Sequence, residues 1–449
     1  MQEPTRGPVL IDGLYGTLIE GGINYFFPSA ELQVLANGHG LLEGGTIEVV
    51  DGGSLILHWL GSFYSLRRNQ AFSEEEVKLL RSIGAVLESR YKMIAHAERV
   101  QQRFELFHGL PEDRYVSASI ERDPYEQEIW QGPDRVEDAI EVLRTSSLST
   151  YENRRISTGA LLFGGHPDPC HERPVTPTGA LRYSPTLTSI RSFYRLCDGL
   201  QTLALVDQNG VLAEIVDVQE WAAPYSKIKL PVPSPAKYES HAQATLCGGH
   251  ICMILTPNGE MKIFANGVQV FQFLDGRWRL TDAQRKYELW REAIGSTELA
   301  ESLFAAAMNL AEDRRGALLV VLDDPETAEQ LVTKTDLVSS LPNHGQQAIA
   351  GAKDQLHYLL HQKRTLDLPT SVLETVARID GGIVLDLESN LLAFGAILRH
   401  HDSTGAFSEH IEGGRTTAAI SASHFGNVLK ISEDGLISFF QNGKCVWDI

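Results

Sequence analysis

Residues 379–398 read IDGGIVLDLESNLLAFGAIL: an Asp-Gly turn, an apolar strand, a polar turn and a second strand. Residues 413–443 follow as GGRTTAAISASHFGNVLKISEDGLISFFQNG, ending in a β-hairpin. The same order stands earlier, as CDGLQTLALVDQNGVLAEIV at 197–216 and HAQATLCGGHICMILTPNGEMKIFANG at 241–267. Each copy has an upstream apolar strand, TGALLFGG around Gly159 and RGALLVVL around Gly316. A recurring order of elements marks a recurring domain. The copies differ at positions where chemistry would sit.

At 449 residues the chain has room for about three domains of roughly 100–200 residues each. Hydrophobic residues make up 43% and charged residues 22%, the composition of a folded chain without low-complexity tracts. A net charge of −19 repels phosphate backbones, which argues against broad nucleic-acid binding while leaving room for a nucleotide in a local pocket. No apolar run approaches the ~20 residues of a membrane span, and the N-terminal MQEPTRGPVLIDG lacks the pattern of a signal peptide. Five scattered cysteines fit a reducing compartment, so the expected location is cytoplasmic.

Three segments follow from the pattern: 1–110, 111–290 and 291–449. In the first, GTIEVV and SLILHWL read as strands joined by an Asp-Gly-Gly turn, followed by a long helix from Phe72 onward. Ser73 and Glu76 make a capping box, and Phe72 can staple to Val77. Val77, Leu80, Gly84, Leu87, Tyr91 and Ile94 form one helical stripe. This layout resembles the end of a GAF-type ligand-binding domain, or a dimerising helix. The second segment holds the Pro-rich surface loop HPDPCHERPVTPTG. The third opens with a helix capped by Ser296 or Thr297. It continues into GALLVVL, an apolar run typical of a strand buried on both faces. The fold class expected is α/β: two tandem domains, each a central mixed sheet flanked by helices, after an N-terminal α+β segment.

The third segment resembles the catalytic domain of the diadenylate cyclase family, a fold shared with the DNA-integrity scanning protein. The resemblance rests on GALLVVLDD, TAEQLVTKTDLVSS, DGGIVLDLESNLLAFGAIL, the Gly-Gly-Arg run and KISEDGLIS. The family's Asp-Gly-Ala motif matches Asp380, Gly381 and Gly382. Its Gly-Thr-Arg-His-Arg-Ala-Ala motif matches the run from Gly413 to Ala419, and its Ser-Glu pair matches Ser432 and Glu433. The family condenses two ATP into cyclic di-AMP. The resemblance therefore implies ATP or a cyclic dinucleotide as ligand. It implies Mg²⁺ or Mn²⁺ arriving with the nucleotide, and two domains that face each other, in a homodimer or an intrachain pseudo-dimer.

The matched residue types suit that chemistry. Asp380 and Glu433 supply carboxylates for a divalent cation, and Asp380 is the catalytic candidate. Gly381, Gly382, Gly413 and Gly414 allow backbone N–H groups to approach phosphate. Arg415 is a bidentate phosphate donor, with Thr416 and Thr417 as hydroxyl donors. Where the family has Arg-His-Arg, this chain has Arg415-Thr416-Thr417, so one guanidinium and the imidazole are replaced. Charge stabilisation is most of phosphoryl-transfer catalysis, so turnover should suffer more than binding. The earlier copy keeps Asp198-Gly199, reads SHAQATL near the phosphate loop and has Pro257 in place of Glu433.

Three readings stay open. The first is a nucleotide or cyclic-dinucleotide sensor with weak or no turnover. The second is an active diadenylate cyclase, and the third a dimeric scaffold with empty pockets. His166, Cys170 and His171 with Cys247, His250 and Cys252 make a zinc set on paper, but the spacing matches no zinc ribbon and the cysteines of CGGHIC read as buried hydrophobes. His400-His401 reads as a solvated turn.

Overall fold

The computed structural model describes residues 8–37, 45–95, 109–126, 132–177, 179–190, 192–334, 336–338, 364–399 and 414–449. It divides into two compact units, Met1–Lys229 with Ser240–Asp282, and Leu230–Glu239 with Ala283–Ile449. The expected segment 1–110 and most of 111–290 lie together in the first unit, because one apolar core runs from Tyr15 through Leu80 and Val136 to Trp278.

That unit begins with α1 (Pro8–Phe26) and an antiparallel sheet of β1 (Glu31–Asn37), β2 (Thr46–Asp51), β3 (Ser54–Trp59) and β4 (Ser62–Arg67), in the order β1-β4-β3-β2. The capping box of α2 (Glu74–Ala95) is made as read. Ser73 Oγ accepts from Glu76 N at 3.2 Å, and Glu76 Oε2 accepts from Ser73 N at 2.8 Å. Gly84 belongs to the helical stripe for a steric reason: a Cβ there would stand 2.7 Å from Trp59 Nε1. Leu79, Leu80, Ile83, Val86 and Leu87 are buried against this sheet, α1 and α3 (Pro111–Ile120). The apolar face that a dimerising helix would need is therefore covered within the unit.

Next come α4 (Arg135–Ser147), β5 (Thr158–Leu162), β6 (Thr202–Val206), β7 (Leu212–Asp217), α5 (Glu239–Gln243), β8 (Ile251–Leu255), β9 (Met261–Ala265), β10 (Val268–Leu274) and β11 (Arg277–Leu280). Their sheet runs β7-β6-β5-β8-β9-β10-β11, with β5 and β6 parallel and the other pairs antiparallel. The second unit contains α6 (Ala283–Ile294), α7 (Thr297–Glu312), β12 (Ala317–Leu322), α8 (Thr370–Ala377), β13 (Gly382–Asp386), β14 (Leu391–Ala396), α9 (Gly414–Ala422), β15 (Gly426–Ile431), β16 (Ile437–Gln441) and β17 (Lys444–Asp448). Its sheet runs β14-β13-β12-β15-β16-β17, with β12 and β13 the one parallel pair. Every residue of β5 and β12 is buried, as strands covered on both faces require. Ser296 caps α7 through its Oγ and Leu299 N.

The two sheets share strand order and strand sense over six strands, β11 being an addition to the first, and the likeness extends to single bonds. Asp207 Oδ1 accepts from Val211 N at 2.9 Å, and Asp386 Oδ1 from Asn390 N at 2.8 Å. Thr256 N donates to Glu260 O, and Ser432 N to Leu436 O, both at 2.8 Å, with Gly259 and Gly435 at φ +85° and +88°. Thr245 Oγ1 accepts from Gly267 N at 3.0 Å, and Ser423 Oγ from Gly443 N at 2.9 Å. Each of these last pairs ties a helix end to an Asn-Gly turn.

The first unit buries an unusual amount of charge. Arg114 pairs with Asp134 and Glu137, each at 3.1 Å, and Arg135 with Glu121 at 2.6 Å. Burial pushes the Glu137 carboxyl from its ordinary 4.5 up to about 8, outweighing the pull of Arg114. A raised native pKa means that the folded state holds the proton more tightly. The associated stability is complete below pH 4.5 and is lost as pH rises through about 8. Glu137→Gln should flatten this slope. Urea unfolding of both proteins at pH 5, 6, 7 and 8 checks it, and parallel pH profiles would refute it.

Candidate functional site

The strand register brings three sequence-distant positions to one end of the second unit's sheet. β13 runs parallel to β12 and begins at Gly382, so Asp380 lies at the same end of the sheet as Gly316. Ala317 lies opposite Ile431, so Gly316 stands beside Ser432.

At this end α9 begins, and its first residues meet the turn after β15. Gly414, Arg415, Thr416, Lys430, Ile431, Ser432, Glu433 and Asp434 line a depression of about 370 Å³. Arg415 Nη1 donates to Glu433 Oε1 at 2.9 Å, with the two side chains 41% and 71% exposed. Lys430 Nζ donates to Thr416 Oγ1 at 3.2 Å. Arg314 donates to the Asp434 carbonyl on the far side of the same turn. Gly435 makes the turn possible with φ +88°.

Arg415 lies across Gly316, where a Cβ would stand 2.4 Å from Nη1. The obstructed atom is the end of a flexible side chain, so Gly316→Ala should leave stability within about 0.5 kcal/mol of wild type while forcing the guanidinium out of the depression. Thermal unfolding and anion titration of this variant separate the two effects. Unchanged anion affinity would show that Arg415 does not act from this position.

The expected site residues divide as follows. Gly414, Arg415, Thr416 and Glu433 come together, and half-buried Thr417 follows on the first turn of α9. Asp380 is exposed at the same sheet end but does not line the depression. Gly381 has φ +114°, and a Cβ there would stand 2.6 Å from the Gly395 carbonyl carbon. Gly382 is the first residue of β13. The approach of β13 to β14 therefore accounts for Gly381 without any phosphate. Gly413, like His400 and His401, lies outside the described residues. Glu433, expected beside Asp380 as a metal ligand, is paired with Arg415. Among the described residues no three His, Cys, Asp or Glu side chains converge on a metal position. A divalent ion would have to draw most of its ligands from a bound nucleotide.

The corresponding groups of the first copy are engaged elsewhere. Asp198 Oδ1 accepts from the backbone N–H groups of Leu200, Gln201 and Thr202 at 2.8, 2.8 and 3.0 Å. Burial alone would raise its pKa, but these bonds outweigh that and hold it below the ordinary value. Counting back from the matched Thr245 and Ser423 places Ala236, Lys237 and Tyr238 where the other copy has Gly414, Arg415 and Thr416. Ala236 N donates to Asn309 Oδ1 at 2.7 Å, Tyr238 OH to Glu312 Oε1 at 2.9 Å, and Lys237 Nζ is 3.7 Å from Glu312.

The residues of the paper zinc set have other partners. His250 Nδ1 accepts from Gly164 N at 2.9 Å, which leaves the ring proton on Nε2 to donate to Asp168 at 2.7 Å. Asp168 also accepts from Tyr225 OH and Cys170 N. Both His250 nitrogens are occupied, and burial lowers its pKa, so the ring is neutral. Cys252 is fully buried in β8, and His171 stacks on Trp221 at 3.8 Å. The cluster pins the Pro-rich loop to the sheet.

No family model matches the chain, and no curated protein matches it. Among solved structures it is similar to a hypothetical membrane spanning protein from Bacillus cereus, at 23% identity and a TM-score of 0.26. That match covers 36% of this chain and 70% of the other. It is also similar to a double mutant of DacA from Staphylococcus aureus, at 20% identity and a TM-score of 0.21, covering 36% of this chain and 89% of the other. Likeness at these TM-scores carries no argument about function. No helix among the described residues is long and apolar enough to cross a membrane.

Proposed function

We propose that the second unit binds the phosphates of an adenine nucleotide or cyclic dinucleotide as a sensor, with little turnover. The observation that carries this reading is the depression at the start of α9. There Arg415, Thr416 and Lys430 meet the turn Ser432–Gly435 at the sheet end that also holds Asp380. The guanidinium, the ammonium and the hydroxyls are all donors, and the first-turn N–H groups of α9 add more. Mg²⁺ or Mn²⁺ joins this reading only on nucleotide phosphates, with Asp380 the nearest uncommitted motif carboxylate. Low turnover follows from threonines at the positions of the motif's histidine and second arginine. The first copy supports the fold rather than a second ligand, since its counterpart groups are already engaged.

Purified protein incubated with ATP and Mn²⁺, then assayed by mass spectrometry for bound and released nucleotides, tests the reading. Retained nucleotide without product supports a sensor. Rapid release of cyclic di-AMP would promote the cyclase, and absence of any bound nucleotide would leave the scaffold.

A further inference from the structure

Resting on the nucleotide reading, we propose that Glu433 acts in this chain as an internal anion, which occupies Arg415 until a phosphate displaces it, and not as a ligand of a divalent cation. Three observations meet here. The first is the pairing itself: the Glu433 carboxylate accepts from Arg415 Nη1 at 2.9 Å. A cation bound to that carboxylate would lie beside the guanidinium and be repelled by it.

The second observation is that the pair is exposed and free to open. Arg415 lies across the bare backbone of Gly316, while Glu433 is 71% exposed on a hairpin turn. That turn is fixed by its own backbone, through Ser432 N to Leu436 O at 2.8 Å and Gly435 N to Ser432 O at 3.1 Å. Rotation of the Glu433 side chain is enough to open the pair. Exposed ion pairs hold weakly, so the exchange of one anion for another is easy. The third is Lys430, whose Nζ is held by Thr416 Oγ1 at 3.2 Å in the same depression. An entering phosphoryl group carries more negative charge than one carboxylate and can meet both cations, which Glu433 does not.

The sign of the effect separates this role from a metal role. Removing the charge of a competing anion strengthens phosphate binding, whereas removing a metal ligand weakens it. Full-length wild type, Glu433→Gln and Lys430→Gln are titrated calorimetrically with inorganic tripolyphosphate and with ATP, with and without Mn²⁺. Their thermal unfolding is compared alongside. Glu433→Gln should bind both probes about two- to fivefold more tightly without metal, the scale of an exposed ion pair. Lys430→Gln should bind them more weakly. If Glu433→Gln loses affinity only when Mn²⁺ is present, the residue is a metal ligand and the proposal is overturned. If wild type and Glu433→Gln bind equally in all conditions, the proposal falls while the nucleotide reading stands. If neither protein binds either probe, the nucleotide reading fails and takes this inference with it.

Discussion

Asp113→Ala should destabilise the first unit by about 3–5 kcal/mol, the cost of breaking a buried, hydrogen-bonded ion pair from one side. Asp113 is 4% exposed and binds two elements that are distant in sequence. One oxygen accepts from Trp278 Nε1 at 2.7 Å, and the carboxylate takes both Arg144 Nε, at 3.0 Å, and Arg144 Nη2. Alanine leaves a buried indole N–H without its acceptor and a guanidinium without its counter-charge. The Arg144 guanidinium also stacks 4.7 Å from the Phe273 ring, a contact that favours its staying in place. The fall in urea midpoint measures the effect. Adding Trp278→Phe removes the orphaned donor and should recover part of the loss. Failure to recover any of it would mean that the Asp113–Trp278 bond contributes little.

Arg415→Ala should weaken binding of ATP or cyclic di-AMP by about 1.5–3 kcal/mol, the worth of a hydrogen bond to a charged group. The fold should be untouched, because the Arg415 side chain is 41% exposed and its recorded partner is a surface carboxylate. Gly316→Ala moves the same guanidinium without deleting it, so the two variants should fail in parallel. Calorimetry of the pair against wild type decides this. Loss of binding in Arg415→Ala with none in Gly316→Ala would place the working guanidinium away from Gly316.

The repeat was legible in the sequence because it is written in local signals: apolar runs, Asp-Gly and Asn-Gly turns, and a fixed order. The same holds for the Ser73–Glu76 box and the Ser296 cap, whose partners lie three residues apart. The site was legible only in part, since motif matching names residues without their partners. It put Arg415 and Glu433 in one pocket with Asp380 but not as an ion pair, which comes from the start of α9 packing on the turn after β15. Gly316 and Lys430 open the quoted stretches GALLVVLDD and KISEDGLIS, but neither was given a role in the site. A lysine within the otherwise apolar run VLKI of β15 was the one signal available. In the first copy, SHAQATL was read at the phosphate loop, but the counterpart of Arg415 is Lys237, further upstream. The extra Gly248-Gly249 pair before β8 shifts any alignment made by eye. Asp168, Tyr225 and His250 are too far apart in sequence to announce a shared network, so the sequence offered only a histidine and cysteine grouping whose spacing fits no zinc ribbon.

The second unit's sheet also carries an order of assembly. β15, β16 and β17 are consecutive strands joined by tight turns, so their contacts are local and can form within microseconds. β12 must wait, because its antiparallel partner β15 begins at Gly426 and its parallel partner β13 at Gly382, far beyond its own end at Leu322. Bringing together strands so far apart in sequence is the slow step in a sheet of this topology. The loop entropy itself grows only by about 0.6 kcal/mol for each doubling of length. The stretches between β12 and β13 and between β14 and α9 could therefore lengthen or shorten over evolution at little thermodynamic cost. The three-stranded meander, which carries Glu433 on its first turn, would serve as the template on which the rest docks.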